Sequence, residues 1–130
     1  MNDNLIKAAE QGDVGAQEFL GLLYYSGKGV PKDWEKAKHW FTNAAEQGGA
    51  GAQYNLGVIY AEGIPKDWEK AKHWFTKAAE QGHAGAQYNL GVMYHNGDGV
   101  PKDLEKALYC YTKAAEQGNE TAQKILALIN

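Results

Sequence analysis

At 130 residues the chain suits one domain of ordinary size, and 44% hydrophobic with 22% charged residues is a globular composition that excludes disorder as the default. A net charge of −3 and a pI near 5.8 argue against nucleic acid as the main ligand. No apolar run approaches the roughly 20 residues of a membrane span, and no basic-then-apolar leader pattern is present.

The chain opens on Leu5–Gly12 (Leu-Ile-Lys-Ala-Ala-Glu-Gln-Gly), which reads as the last half of a helix that recurs later in full. Gly15–Tyr24, Gly51–Tyr60 and Gly85–Tyr94 then repeat one phrase, Gly-Ala-Gln-Tyr-Asn-Leu-Gly-Val-x-Tyr in its two stronger copies, and a partial copy begins at Thr121. The starts lie 36, 34 and 36 residues apart, a period that signals stacked supersecondary units. The segments are a half-repeat over 1–14, repeats over 15–50, 51–84 and 85–120, and a capping helix over 121–130. Opening on half a unit suggests trimmed upstream residues.

Within each unit the pattern predicts an A-type helix, a Gly/Pro turn and a B-type helix. In the second unit the A-type helix runs from about Ala50 to Glu62. At about 100° per residue, Ala52, Leu56, Ile59 and Tyr60 share one stripe, with Tyr54, Val58 and Ala61 opposite. Gly21, Gly57 and Gly91 sit mid-helix, where glycine costs about 1 kcal/mol relative to alanine, so each copy needs a close approach there. The expected neighbour is the crossing B-type helix. Gly27-Lys28-Gly29 and Gly97-Asp98-Gly99 read as plain helix–helix turns, because a phosphate cradle lacks its preceding strand and P-loop lysine. The second unit keeps only Gly63 there, which accounts for its shorter period.

Asp33, Asp67 and Asp103 are placed to cap the B-type helices, and Pro31, Pro65 and Pro101 keep the turn from continuing the first helix. Trp68, Ala71, Trp74, Phe75 and Ala78 form an apolar face opposite Glu69, His73, Thr76, Lys77 and Glu80. Gly48, Gly82 and Gly118 end these helices. At the C-terminus, Ile125, Leu128 and Ile129 are expected to pack back on Leu104 and Leu108; exposed, they leave a sticky edge.

The remaining chemistry is sparse. Cys110, the only cysteine, occupies the place of Trp40 and Trp74 and reads as an apolar filler. His39 and His73 fall on the solvated face beside Glu35 and Glu69, and metal bridging needs further ligands. His83, in the place of Gly49, reads as a turn residue. Ser26 is the only serine, and neither a Gly-x-Ser-x-Gly elbow, a His-Glu-x-x-His pair nor a CxxC is present. No catalytic residue, metal or cofactor is assigned.

The third copy aligns Ala86, Leu90, Gly91, Tyr94, Gly97, Gly99, Val100, Pro101, Asp103, Lys106, Ala107, Tyr111, Lys113, Ala114, Ala115 and Gly118 with the Sel1-like repeat, a longer-looped relative of the tetratricopeptide repeat. The resemblance covers the chain from Leu5 onwards. It implies an all-α, right-handed α-solenoid of antiparallel helix pairs: about eight helices, forming three full repeats with half-repeats at both ends. A-type helices line the concave side in that family, and members act as adaptors and scaffolds. A cysteine-rich branch ties each repeat with a disulfide and includes β-lactam-binding or hydrolysing enzymes; this chain lacks the cysteine pairs.

On that frame the concave face collects Glu18, Leu22, Tyr25, Tyr54, Val58, Glu62, Tyr88, Val92, His95, Asn96 and Lys124, with Asn55 and Asn89 at its edge. Tyrosines offer apolar area plus a hydroxyl, and asparagine amides can clamp a peptide backbone. The alternative is that the tyrosines cover neighbouring helices and the asparagines bond a helix terminus. The expected function is non-enzymatic protein–protein interaction with a peptide or protein segment, without nucleic acid or membrane insertion. The alternatives are an enzyme like the cysteine-rich branch and a self-assembling repeat protein joined end to end; a monomer is the expectation. The lone cysteine and the missing leader pattern fit the cytoplasm, and a processed periplasmic or secreted chain reads identically.

Overall fold

Capped starts and glycine stops divide the chain into short helices. The computed structural model describes residues 3–129; residues 1 and 2 of the half-repeat 1–14 and residue 130 of the capping helix 121–130 lie outside them. Among the described residues there are eight α-helices and no strand: α1 (Asp3–Glu10), α2 (Val14–Ser26), α3 (Trp34–Glu46), α4 (Ala50–Glu62), α5 (Trp68–Glu80), α6 (Ala84–Asn96), α7 (Leu104–Glu116) and α8 (Glu120–Ile129). Even-numbered helices are A-type and odd-numbered helices B-type, paired antiparallel into a right-handed α-solenoid.

The B-type helices start as their sequence dictates. Asp33, Asp67 and Asp103 each accept, through Oδ1, a hydrogen bond from the backbone N–H three residues on, at 3.0 Å. The same aspartates donate their own N–H to the carbonyls of Tyr24, Tyr60 and Tyr94 at 2.9 Å, closing each turn. Gly48, Gly82 and Gly118 follow these helices with φ of 95°, 87° and 94°, a region open to glycine at little cost. Gly27 and Gly97 end α2 and α6 in the same left-handed region, whereas Gly63 ends α4 at φ −65°. The two-residue deletion therefore changes how the second A-type helix stops.

Packing within each pair centres on the mid-helix glycines. A methyl group built on Gly21, Gly57 or Gly91 falls 2.5, 2.7 and 2.6 Å from ring carbons of Phe41, Phe75 and Tyr111. Each ring thus lies flush on the A-type backbone, which is the crossing that the glycines predict. Around these contacts sit three clusters: Ala37, Phe41, Ala44, Ala45, Ala52, Leu56 and Ile59; then Ala71, Phe75, Ala78, Ala86, Leu90 and Met93; then Ala107, Tyr111, Ala114 and Ala122. Most B-type members are alanines, which let helices approach closely at no side-chain entropy cost.

A ladder of glutamines joins one unit to the next. Gln17, Gln53, Gln87 and Gln123 donate through Nε2 to the carbonyls of Ala9, Ala45, Ala79 and Ala115, at 3.0 to 3.1 Å. Gln47 and Gln81, from the following B-type helix, then donate to the Oε1 of Gln17 and Gln53 at 2.8 and 2.9 Å. Buried amides need such partners, since a lost bond costs about 1–3 kcal/mol. On the outer side, lysine ammonium groups lie over the repeat tyrosines: Lys36 over Tyr24, Lys38 and Lys70 over Tyr60, Lys72 and Lys106 over Tyr94, at 5.3 to 5.9 Å from the ring centres.

The C-terminal expectation needs correction. Ile125 packs against the last cluster, but Leu128 is 87% exposed, and Ile129, Leu104 and Leu108 are exposed as well. Glu35 pairs with Lys38 at 3.4 Å, and His39 lies against Trp40 and Asn43 instead.

The glycine crossing predicts opposite outcomes for two glycine-to-alanine changes. Gly57→Ala drives a methyl into Phe75 and should destabilise by about 1–3 kcal/mol despite the gain in helix propensity. Gly15→Ala meets only Asp13 Oδ1, at an ordinary 3.4 Å, and should be neutral or slightly stabilising. Urea unfolding midpoints of the two variants check the pair.

Candidate functional site on the A-type helices

The faces of the A-type helices turned away from their B-type partners bring the sequence-nominated residues together in part. Between α4 and α6 an apolar cleft of about 190 Å³ is lined by Val58, Ala61, Glu62, Trp68, Phe75, Asn89, Val92, Met93 and Asp98. Four nominated residues meet there: Val58 and Glu62 from α4, Asn89 and Val92 from α6. Phe75 and Met93 are buried and form its floor. Sequence reasoning missed the rim contributed by Trp68 and Asp98. Its signal was available, because the turn glycine Gly99 brings the third unit's loop against Trp68: a methyl on Gly99 meets Trp68 Cβ at 2.1 Å.

The tyrosines of this row are half-buried and already engaged. Tyr54 stacks on His83 at 4.7 Å and tilts against Phe75 at 5.9 Å; Tyr88 lies 5.8 Å from Tyr111. Glu18 occupies the matching place in the first unit and lies over Gly49 and Gly51. Glu18 and Tyr54 cover the start of the next A-type helix, which is the neighbour-covering alternative, while Tyr88 packs on the B-type ring of its own unit. Tyr25 donates its hydroxyl to Glu62 Oε1 at 2.7 Å, linking the first unit to the second. Burial, then this bond to a carboxylate, pushes the Tyr25 phenol up to about 12.

The other nominated residues are more scattered. Leu22 is exposed on α2. His95 Nδ1 and the Tyr111 hydroxyl lie 3.2 Å apart, and Asn96 donates to Asp98 at 3.5 Å beside the cleft mouth. Asn55 is half-buried on α4, while Lys124 is exposed on α8, remote in sequence from the cleft. No group of three or more histidine, cysteine or acidic side chains placed to hold a metal ion occurs among the described residues.

His83 has a role beyond the turn that its position suggests. Its Nδ1 accepts from Ala86 N–H at 3.1 Å and so caps α6, as Asp13 and Asn119 cap α2 and α8. An acceptor nitrogen must be unprotonated, and burial lowers this imidazole below its ordinary value.

The paired helices, glycine crossings and glutamine ladder define a repeat solenoid of the tetratricopeptide-like class. The Sel1 repeat profile matches residues 4–13, 14–49, 50–83 and 84–119, and the chain belongs to that family. A protective antigen of uropathogenic Escherichia coli with an SLR fold superposes with a TM-score of 0.90 at 42% identity, over 96% of this chain and 27% of the antigen. This chain thus spans about a quarter of the antigen's length. A Sel1 repeat protein from Oxalobacter formigenes gives 0.83 at 42% identity, over 95% of both chains. Cysteine-rich protein B of Helicobacter pylori gives 0.72 at 25% identity, over 94% of both. No curated protein matches the chain.

The His83 cap makes a pH prediction. Its folded pKa lies below the unfolded one, so its stabilising contribution is complete above about pH 6.5 and is lost as pH falls towards the folded value. His83→Asn keeps a capping acceptor that does not titrate. Between about pH 7.5 and pH 5.5 the wild type should lose more unfolding free energy than this variant, measured by urea denaturation.

Proposed function

We propose that the chain is a non-enzymatic interaction module that holds a polypeptide segment along the exposed faces of its A-type helices. One observation carries the reading: the cleft between α4 and α6, where Val58, Ala61 and Val92 stand over the buried Phe75 and Met93, with Asn89 and Glu62 at hand for polar contacts. An apolar floor with a few polar groups is how a groove accepts a side chain while binding its backbone. Family membership supports the coarser point, since Sel1 repeats typically serve as protein-interaction scaffolds.

Tyr54 and Tyr88 are spent on packing against His83 and Tyr111 and are not the anchors of this groove. The chain's own nucleophile candidates favour binding over chemistry. Ser26 donates to the Leu23 carbonyl, and burial pushes the Cys110 thiol up, away from the thiolate that a nucleophile needs.

The test is selection from a random-peptide display library on the wild type, with Val92→Asp as the comparison. A charge in the cleft should weaken selected peptides by at least about tenfold, while Lys77→Glu on the opposite layer leaves them unchanged. Equal binding to Val92→Asp, with its circular dichroism intact, removes this reading.

A second reading has its own support in exposed Leu104, Leu128 and Ile129, which suit end-to-end self-association. Sedimentation at rising concentration should then show dimers that Leu128→Glu dissolves. A wild type that stays monomeric refutes it.

A further inference from the structure

Among the positions at which α7 departs from α3 and α5, one faces the preceding unit. Trp40 and Trp74 hold it in α3 and α5, and Cys110 holds it in α7. Trp74 packs against the preceding unit's cluster of Ala37, Phe41, Ala44, Ala45, Ala52, Leu56 and Ile59. Cys110 packs against the corresponding next cluster, but with a far smaller side chain. Beside Cys110 lies a cleft of about 470 Å³ between α5 and α7, where Thr76, Ala79, Leu90 and Gln87 face Cys110 and Lys113. That volume lies within the range of small-molecule sites, about 300–1,000 Å³. The core beneath is correspondingly uncovered: Leu90 is 7% exposed where its counterpart Leu56 is 0%.

The same place interrupts the glutamine ladder. Gln87 is 7% exposed and donates to the Ala79 carbonyl, yet its Oε1 is the one buried side-chain polar atom without a partner among the described residues. In the earlier units Gln47 and Gln81 supply that bond. Gln117, their counterpart, lies along Gly82 and lines the cleft without reaching Gln87. A buried acceptor so left carries an unmet demand for a donor.

Two requirements therefore coincide: a flat apolar body with the bulk that tryptophan supplies in the other units, and one N–H to satisfy Gln87. We propose that the cleft beside Cys110 binds an indole ring bearing a free N–H. The ring stacks over Ala79 and Leu90 and its N–H donates to Gln87 Oε1, while Lys113, whose ammonium lies 5.7 Å from the centre of the Tyr109 ring, borders the cleft with that tyrosine. Glu80 at the rim offsets the lysine charge. This site lies on the B-type layer and does not depend on the groove of the A-type helices.

The experiment uses the full chain and three probes at millimolar concentration: indole, 1-methylindole and N-acetyltryptophanamide. Indole should shift the ¹⁵N–¹H signals of Gln87, Leu90 and Cys110 and slow alkylation of Cys110 by iodoacetamide. 1-Methylindole, with no donor, should do both several-fold less well. N-Acetyltryptophanamide binding as well as indole extends the site to tryptophan side chains of peptides; its failure beside indole's success restricts the site to free small molecules. Cys110→Trp fills the cleft from within and should abolish the indole shifts. The proposal is overturned if indole neither shifts those signals nor protects Cys110 in the wild type, or if 1-methylindole equals it.

Discussion

The contact of an aromatic ring with a bare stretch of helix backbone sets the geometry of every unit. Phe41, Phe75 and Tyr111 can lie on α2, α4 and α6 only because Gly21, Gly57 and Gly91 present no side chain there. A glycine inside a helix is unfavourable by itself, and the recovered packing offsets that cost. With the ring seated, the alanines of the B-type helices come close enough to bury themselves. The A-type helices then have their remaining faces free to form the cleft over Phe75. The same ring is thus both the floor of the candidate groove and the spacer of its helix pair.

Much of this was legible in the residues. A phrase repeated at 34 to 36 residues, with Asp after Pro-Lys and Gly after Glu-Gln, marks helix starts and stops by their own chemistry. The mid-helix glycines announced a crossing. What one-dimensional pattern could not supply was anything made between units. Gln17, Gln53 and Gln87 look like surface polar residues, yet they are buried, because their bonds run to carbonyls eight residues back and, for Gln17 and Gln53, to the glutamine that ends the next helix. His83 resembled a spacer, since its neighbour in the pattern is glycine; only the backbone direction at α6 shows it as a cap. The nominated tyrosines are half-buried and packed against His83, Phe75 and Tyr111 or bonded to Glu62. How far they are spent on the adjoining helix depends on the spacing of units, which no residue count reveals.

The units are not equivalent in what they offer a ligand. The first presents Glu18 and Phe19 where the later ones present tyrosine and asparagine; the third gives up a tryptophan for Cys110 and a phenylalanine for Tyr111, whose hydroxyl meets His95. Such departures sit on an otherwise uniform frame. The two clefts accordingly lie on opposite layers, one made by what the repeats share and one by what the third lacks.

The glutamine ladder has a consequence for how such arrays grow. Each rung from a glutamine to an alanine carbonyl is built from one residue of an upstream unit and one of its downstream neighbour, and both occur in every copy. Any unit therefore carries a matching plug and socket, so duplication or shuffling of cassettes leaves the seams intact. Lineages of this kind can lengthen without redesigning a single junction, and novelty is free to accumulate on the faces between them.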